Sequence, residues 1–145
     1  MSWRRDSGLA GELLNYSGMS AQRISKRNIL VVDDDASVCQ TVTMLLQFDG
    51  HSVDTAASGA EALAVFEPGK FDLVFTDFFL PVMTGEKLAA EIKTRSPGQT
   101  VVMLTGYPEK FQTTGDQLLD IDFMMGKPFE IEALRQVITR FSPVP

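Results

Sequence analysis

Apolar residues in this chain come in short runs, and the residue that ends each run carries the information. Ile29-Leu30-Val31-Val32 stops at Asp33-Asp34, and the run from Phe71 to Thr76 stops at Asp77. Val101-Val102-Met103-Leu104 stops at Thr105, and Phe123-Met124-Met125-Gly126 stops at Lys127-Pro128. Near-continuous apolar runs of this length suit strands covered on both faces, as in a parallel sheet flanked by helices. Between them the pattern switches to the helical period. Val38, Val42, Leu45 and Leu46 share one face over 36–48, and Gly50 ends that segment. Ala60, Leu63 and Ala64 are expected inward over 59–66, closed by Pro68-Gly69. Leu88, Ala89 and Ile92 are expected inward over 85–95, before Pro97-Gly98. Ile131, Leu134, Val137, Ile138 and Phe141 make the clearest stripe, over 130–141. A weakly patterned helix is expected over 109–119. Strands are expected over 29–33, 52–56, 71–77, 100–105 and 122–126. Five β/α units in alternation predict an α/β fold with a parallel sheet between helical layers.

In such a sheet, ligands bind beyond the carboxyl ends of the strands. The run endings therefore bring three carboxylates (Asp33, Asp34, Asp77), the Thr105 hydroxyl and the Lys127 ammonium to one small site. Crowded carboxylates either share protons or hold a cation. Mg²⁺ fits, because it takes oxygen ligands, keeps several waters and engages phosphoryl oxygens. Metal, ammonium and hydroxyl together stabilise the charge of a transferring phosphoryl group. Asp77 stands alone at a strand end and opens an irregular loop, so it is the expected nucleophile. Asp33 and Asp34 are adjacent before a helix and are assigned to the metal.

The bulk properties fit one soluble domain: 145 residues, 44% hydrophobic, 22% charged. The net charge of −6 argues against a nucleic-acid-binding face. The lone Cys39 cannot form an internal disulfide, which with the absence of any long apolar run predicts a reducing, cytoplasmic setting and no membrane span. Arg4-Arg5 invites comparison with an export signal, but Asp6 to Ser17 is too polar for one. Residues 1–27 carry five basic and two acidic side chains, net +3, which leaves −9 on the other 118 residues. They are expected to form a flexible extension in which Leu9, Leu13, Leu14 and Tyr16 hold a marginal helical turn. Residues 142–145 are expected to be a Pro-rich stub.

Smaller features have plain readings. Asp35 is expected to cap the helix that follows it. Asp72 is expected at the start of its strand. His51 beside Gly50 is expected to be a surface or turn residue, and Cys39 a packing or surface filler.

The segments ILVVDDD, FDLVFTDFFLPVMTGEKL, VVMLTGYPE and FMMGKPFE, in that order, resemble the receiver domain of two-component response regulators, the CheY-like superfamily. The resemblance covers about 28–141. It implies the flavodoxin-like (βα)5 three-layer sandwich with strand order 2-1-3-4-5. It implies that Asp77 accepts a phosphoryl group from the phosphohistidine of a sensor histidine kinase or phosphotransfer protein. It implies that Asp34 is a direct Mg²⁺ ligand, that Asp33 acts through a metal-bound water, and that Asp77 and the Phe79 backbone carbonyl complete the set, with Mn²⁺ as a substitute ion. Thr105 resembles the switch hydroxyl and Lys127 the ammonium that pairs with the phosphoryl group, with Lys127-Pro128 cis. The readout surface would be the 109–119 helix, the last strand and the last helix, which also offer a homodimer interface and a site for a downstream protein or output domain. Such a domain is a switch and not a turnover enzyme, although it promotes its own phosphorylation and dephosphorylation.

Two positions depart from the family pattern. The usual switch aromatic is replaced by Met124, with Phe123 one residue earlier and so on the opposite face. Phe79 and Tyr107, each two residues after a reactive residue, are bulky and flank the path of the hydrolytic water. Two other functions are weighed. A haloacid-dehalogenase-like phosphatase with Asp33 as nucleophile would need an acidic metal motif after Lys127, where only the first-turn acids Glu130 and Glu132 follow. A pseudo-receiver that binds proteins without being phosphorylated would not need the full reactive set.

Overall fold

The computed structural model describes residues 26–107 and 120–141. In chain order they form β1 (Asn28–Val32), α1 (Ala36–Phe48), β2 (Ser52–Ala56), α2 (Gly59–Val65), β3 (Leu73–Asp77), α3 (Gly85–Arg95), β4 (Thr100–Thr105), β5 (Phe123–Gly126) and α4 (Ile131–Arg140). The helix expected over 109–119, nearly all of the 1–27 extension and the 142–145 stub lie outside the described residues.

All strand pairs are parallel, and the sheet order is β2-β1-β3-β4-β5, as expected. Alternate residues of the inner strands feed two cores. Ile29, Val31, Leu73, Phe75, Val102 and Leu104 pack against Val42 and Leu46 of α1 and Leu134, Val137 and Ile138 of α4. Leu30, Val32, Val74 and Val101 pack against Ala62, Phe66, Leu88, Ala89 and Ile92 on the other face. β3 is buried over its whole length. The unbroken apolar runs are thus the consequence of helices on both sides.

Local chemistry fixes the helix starts. Asp35 caps α1, its carboxylate accepting from Ser37 N at 2.9 Å. Ser58 and Glu61 form a reciprocal capping pair: Glu61 N donates to Ser58 Oγ and Ala57 N to Glu61 Oε1. Thr84 caps α3 through Lys87 N. Asp72 lies just before β3 and accepts from Asn28 N at 2.8 Å, which ties the starts of β1 and β3 together.

Two expectations are corrected. In α2 the inward residues are Gly59 and Ala62, followed by Phe66, whereas Ala60 and Ala64 are exposed. The helix has only 7 residues, too few for its apolar pattern to define a phase, and the Phe66 anchor sets the rotation instead. His51 is buried, not a surface residue: its Nδ1 accepts from Arg27 N at 3.0 Å where the chain enters the sheet. Strand ends also shift by a residue or two, since β3 begins at Leu73 and Asp33 falls just past β1.

The end of α1 is tied to α4 by a two-pronged ion pair. Arg135 Nε donates to Asp49 Oδ2 at 2.7 Å and its Nη2 to Oδ1 at 2.9 Å. The Arg135 bond holds the Asp49 carboxyl below its ordinary value, against the opposing effect of burial. Asp49→Ala is expected to cost about 1.5–3 kcal/mol in urea unfolding at pH 7, a deficit that starts to shrink only below about pH 4, where the unfolded carboxylate protonates, and closes as pH falls through the lower folded value. An unchanged midpoint would remove the pair from the structure's support.

Burial pushes the His51 imidazole below its ordinary value, as does the Arg27 charge, while Asp49 and Asp72 oppose the shift. A histidine depressed in the folded state contributes stability that is complete above about pH 6.5 and is lost as pH falls toward the folded value. Protonation also ends the bond that Nδ1 accepts. Between pH 7 and 5 the melting temperature should fall more steeply in the native chain than in His51→Gln; parallel curves would refute the assignment.

Candidate functional site

Asp33, Asp34 and Asp77 reach the same hollow from two adjacent strands. β1 ends at Val32 and delivers Asp33 and Asp34, while β3 ends on Asp77 itself. Each offers a carboxylate oxygen, and these oxygens lie within 4.8 Å of one another. Asp33 is 1% exposed and Asp34 is exposed to solvent. Asp33 is held rigidly: Asp35 N donates to its Oδ1 at 2.9 Å, and its own N–H bonds Ala56 O at 3.1 Å.

Lys127 supplies the counter-charge from the end of β5. Its Nζ lies 2.7 Å from Asp33 Oδ2 and 3.3 Å from Asp77 Oδ1. Its backbone N–H bonds Thr105 O at 2.7 Å, and the Lys127-Pro128 peptide is cis. Burial draws the Lys127 ammonium down, but its bonds and attraction to Asp33 and Asp77 outweigh burial and hold it above its ordinary value. Asp77 is raised: burial dominates, the Lys127 charge opposes it, and Asp33 adds to it. Burial and like charge thus disfavour the bare dianionic pair, and one ammonium does not cancel three carboxylates. A divalent ion with oxygen ligands removes that imbalance. Oxygens 2.0–2.1 Å from Mg²⁺ stand at most about 4.2 Å apart, close to the spread these three residues already have.

Thr105 ends β4 beside β3, is fully buried, and accepts from Tyr107 N at 3.1 Å through its hydroxyl. The hydroxyl is therefore engaged with its own loop. Phe79 lies in the loop after β3, edge-on to Phe78 and largely exposed, and Tyr107 is also exposed. Met124 is level with Met103 in the β4–β5 register. Phe123 packs into the α1–α4 core with its ring 6.0 Å from Phe141 and Arg140 stacked 5.0 Å over it. The one-residue offset does place Phe123 on the face away from Met124.

One site residue escaped the sequence reading. Gly85 opens α3, and its N–H bonds Phe78 O at 2.7 Å. A side chain there would strike the Asp77 carbonyl, so only glycine lets α3 press against the backbone that carries Asp77. The Thr84-Gly85 pair just after the loop was the available signal. Cys39, half-buried on α1, donates its thiol to Asp33 O at 3.2 Å and so packs beneath the site.

Comparison with known proteins agrees with this geometry. Residues 29–139 match the model of the response regulator receiver domain. The chain is 35% identical over 111 residues to the transcriptional regulatory protein GlrR of Escherichia coli, covering 77% of this chain and 25% of that one. It is 32% identical over 116 residues to the aerobic respiration control sensor protein ArcB of E. coli, covering 79% of this chain and 15% of that one. The chain thus spans a quarter or less of these two relatives. Among solved structures, the response regulator TrrA of Thermotoga maritima, in complex with Mg²⁺-BeF, superimposes with a TM-score of 0.72 at 30% identity, covering 81% of this chain and all of that one. With the five parallel strands in the order 2-1-3-4-5 and the acids gathered at their carboxyl ends, the chain belongs to the response regulator receiver domain family, the CheY-like modules of two-component signalling.

Proposed function

We propose that this domain accepts a phosphoryl group on Asp77 from the phosphohistidine of a sensor kinase or phosphotransfer protein, with Mg²⁺ held by Asp33, Asp34, Asp77 and the Phe79 carbonyl. The observation that supports it best is the cluster of Asp33, Asp34 and Asp77 with Lys127 bridging Asp33 and Asp77. Bound Mg²⁺ would neutralise the carboxylates and the phosphoryl oxygens.

The chain's own residues do the rest. An Asp77 carboxylate oxygen attacks phosphorus, a P–O bond forms, and the P–N bond breaks, returning the histidine nitrogen with its electron pair. Lys127 Nζ, already 3.3 Å from Asp77, pairs with the new phosphoryl oxygens. The group adds charge and strong acceptors at a buried strand end. Thr105 then exchanges its bond with Tyr107 N for one to the phosphoryl group, and the loop after β4 follows. The readout is a population shift on the face that includes β5 and α4, where a downstream protein or output domain docks. The domain is a switch, not a turnover enzyme. No helix among the described residues is long and apolar enough to cross a membrane.

Incubation with acetyl phosphate and Mg²⁺ should add one phosphoryl mass to the intact protein, and Asp77→Asn or chelation of the metal should abolish it. An unlabelled wild type would favour the pseudo-receiver. Continuous turnover of a phosphate ester, lost in Asp33→Asn, would favour the phosphatase.

Phe79 and Tyr107 are bulky side chains on the loops that follow Asp77 and Thr105. They restrict approach of water to the acyl phosphate. Replacing both by small polar residues should shorten the phosphorylated lifetime several-fold in a decay assay; an unchanged lifetime would refute this role.

A further inference from the structure

We propose, resting on the phosphoryl-accepting reading of the site above, that Met83 is a positioning residue for the loop that carries the Phe79 carbonyl. Seated in a slot that Gly59 leaves open, it tunes the affinity of the site for Mg²⁺.

The loop from Asp77 to α3 does not owe its shape to local backbone preference. Met83 N donates to Pro81 O at 2.7 Å, a bond between residues two apart. With Val82 at φ 69° between them, this is a γ-turn of the rare, strained hand. A positive φ is costly for a β-branched residue. Val82 recovers nothing by packing, since its side chain is fully exposed. Contacts elsewhere in the loop must hold the turn closed.

Those contacts flank it. Gly85 N bonds Phe78 O at 2.7 Å and closes the base of the loop. Inside that closure, Leu80 and Met83 pack against the core that contains Ala62, Phe66 and Leu88. Met83 has the tighter seat. A Cβ on Gly59 would stand 2.6 Å from Met83 Sδ and 3.3 Å from its Cβ and Cγ. Swinging the thioether aside would relieve the first clash, but the crowding at Met83 Cβ is relieved only by moving backbone. Gly59 is the first residue of α2, and the Ser58–Glu61 capping pair fixes that turn. The start of α2 is thus a wall, and Met83 is the part fitted to it.

Phe79 has no such seat. Its ring is 55% exposed and edge-on to Phe78. Its backbone is therefore placed by its neighbours: the closure at Phe78 on one side, and Leu80, the stiff Pro81 and the Met83 anchor on the other. Mg²⁺ demands near-ideal octahedral geometry at about 2.0–2.1 Å, so a small shift of one carbonyl ligand lowers affinity.

The test is calorimetric titration of the full-length chain with MgCl₂. Met83→Ala should weaken binding about fivefold or more, and Met83→Leu, which refills the slot, should largely restore it. Gly59→Ala should weaken binding by a similar factor, and should add nothing in a Met83→Ala background, where the slot is already empty. Val82→Gly relaxes the turn but keeps both anchors, so it should raise the melting temperature and leave affinity as it was. Ile138→Val, which loosens the opposite core, should lower the melting temperature and spare affinity. Native-like binding by Met83→Ala would overturn the proposal, as would additive losses in the double variant. An equal loss in Ile138→Val would also overturn it, by showing that any loosening suffices. A native chain that takes up no Mg²⁺ would remove the reading of the site itself, and this role with it.

Discussion

The crowding of carboxylates at the ends of two neighbouring strands is the constraint that the rest of the structure serves. Like charges this close are unfavourable, and burial of Asp33 makes them more so. Lys127 answers part of that charge from the end of β5, two strands away from Asp77 in the sheet. The ion pair spans 94 positions in sequence, so the site exists only when β1, β3, β4 and β5 are in register. What stabilises the folded sheet and what assembles the reactive groups are the same set of strand pairings.

The surroundings keep that cluster fixed. Backbone donors hold Asp33, the Cys39 thiol packs under it, and Gly85 lets α3 lean on the Asp77 carbonyl. In contrast, Thr105 and Tyr107 share a bond that a competing acceptor can replace. A fixed acidic floor beneath that loop is the arrangement the proposed charge-driven switch would use. Met124 stands level with Met103 in the β4–β5 register, and a flexible thioether there fills space without defining two ring positions.

The sheet was legible because burial on both faces writes unbroken apolar runs, and four of them, together with the more polar edge strand Ser52–Ala56, alternate with helical stripes. The site residues were legible because each ends a run, and run ends share one edge of a parallel sheet. The phase of α2 was not legible: two turns carry too few positions, and Phe66 outside the helix decides which side faces in. His51 looked like a turn residue because nothing in its neighbours announces that the entering chain will bury it at the Arg27 backbone.

Sequence alone determined the order of the described strands and helices, the two-sided burial of the central strands and which charged residues meet at one sheet edge, since these follow from local periodicity and from what terminates it. Tertiary structure decided which carboxylate Lys127 grips most closely, why position 85 must lack a side chain, and how Arg135 clamps the end of α1. Those are contacts between residues far apart in the chain, and their geometry is fixed only when the helices settle on the twisted sheet.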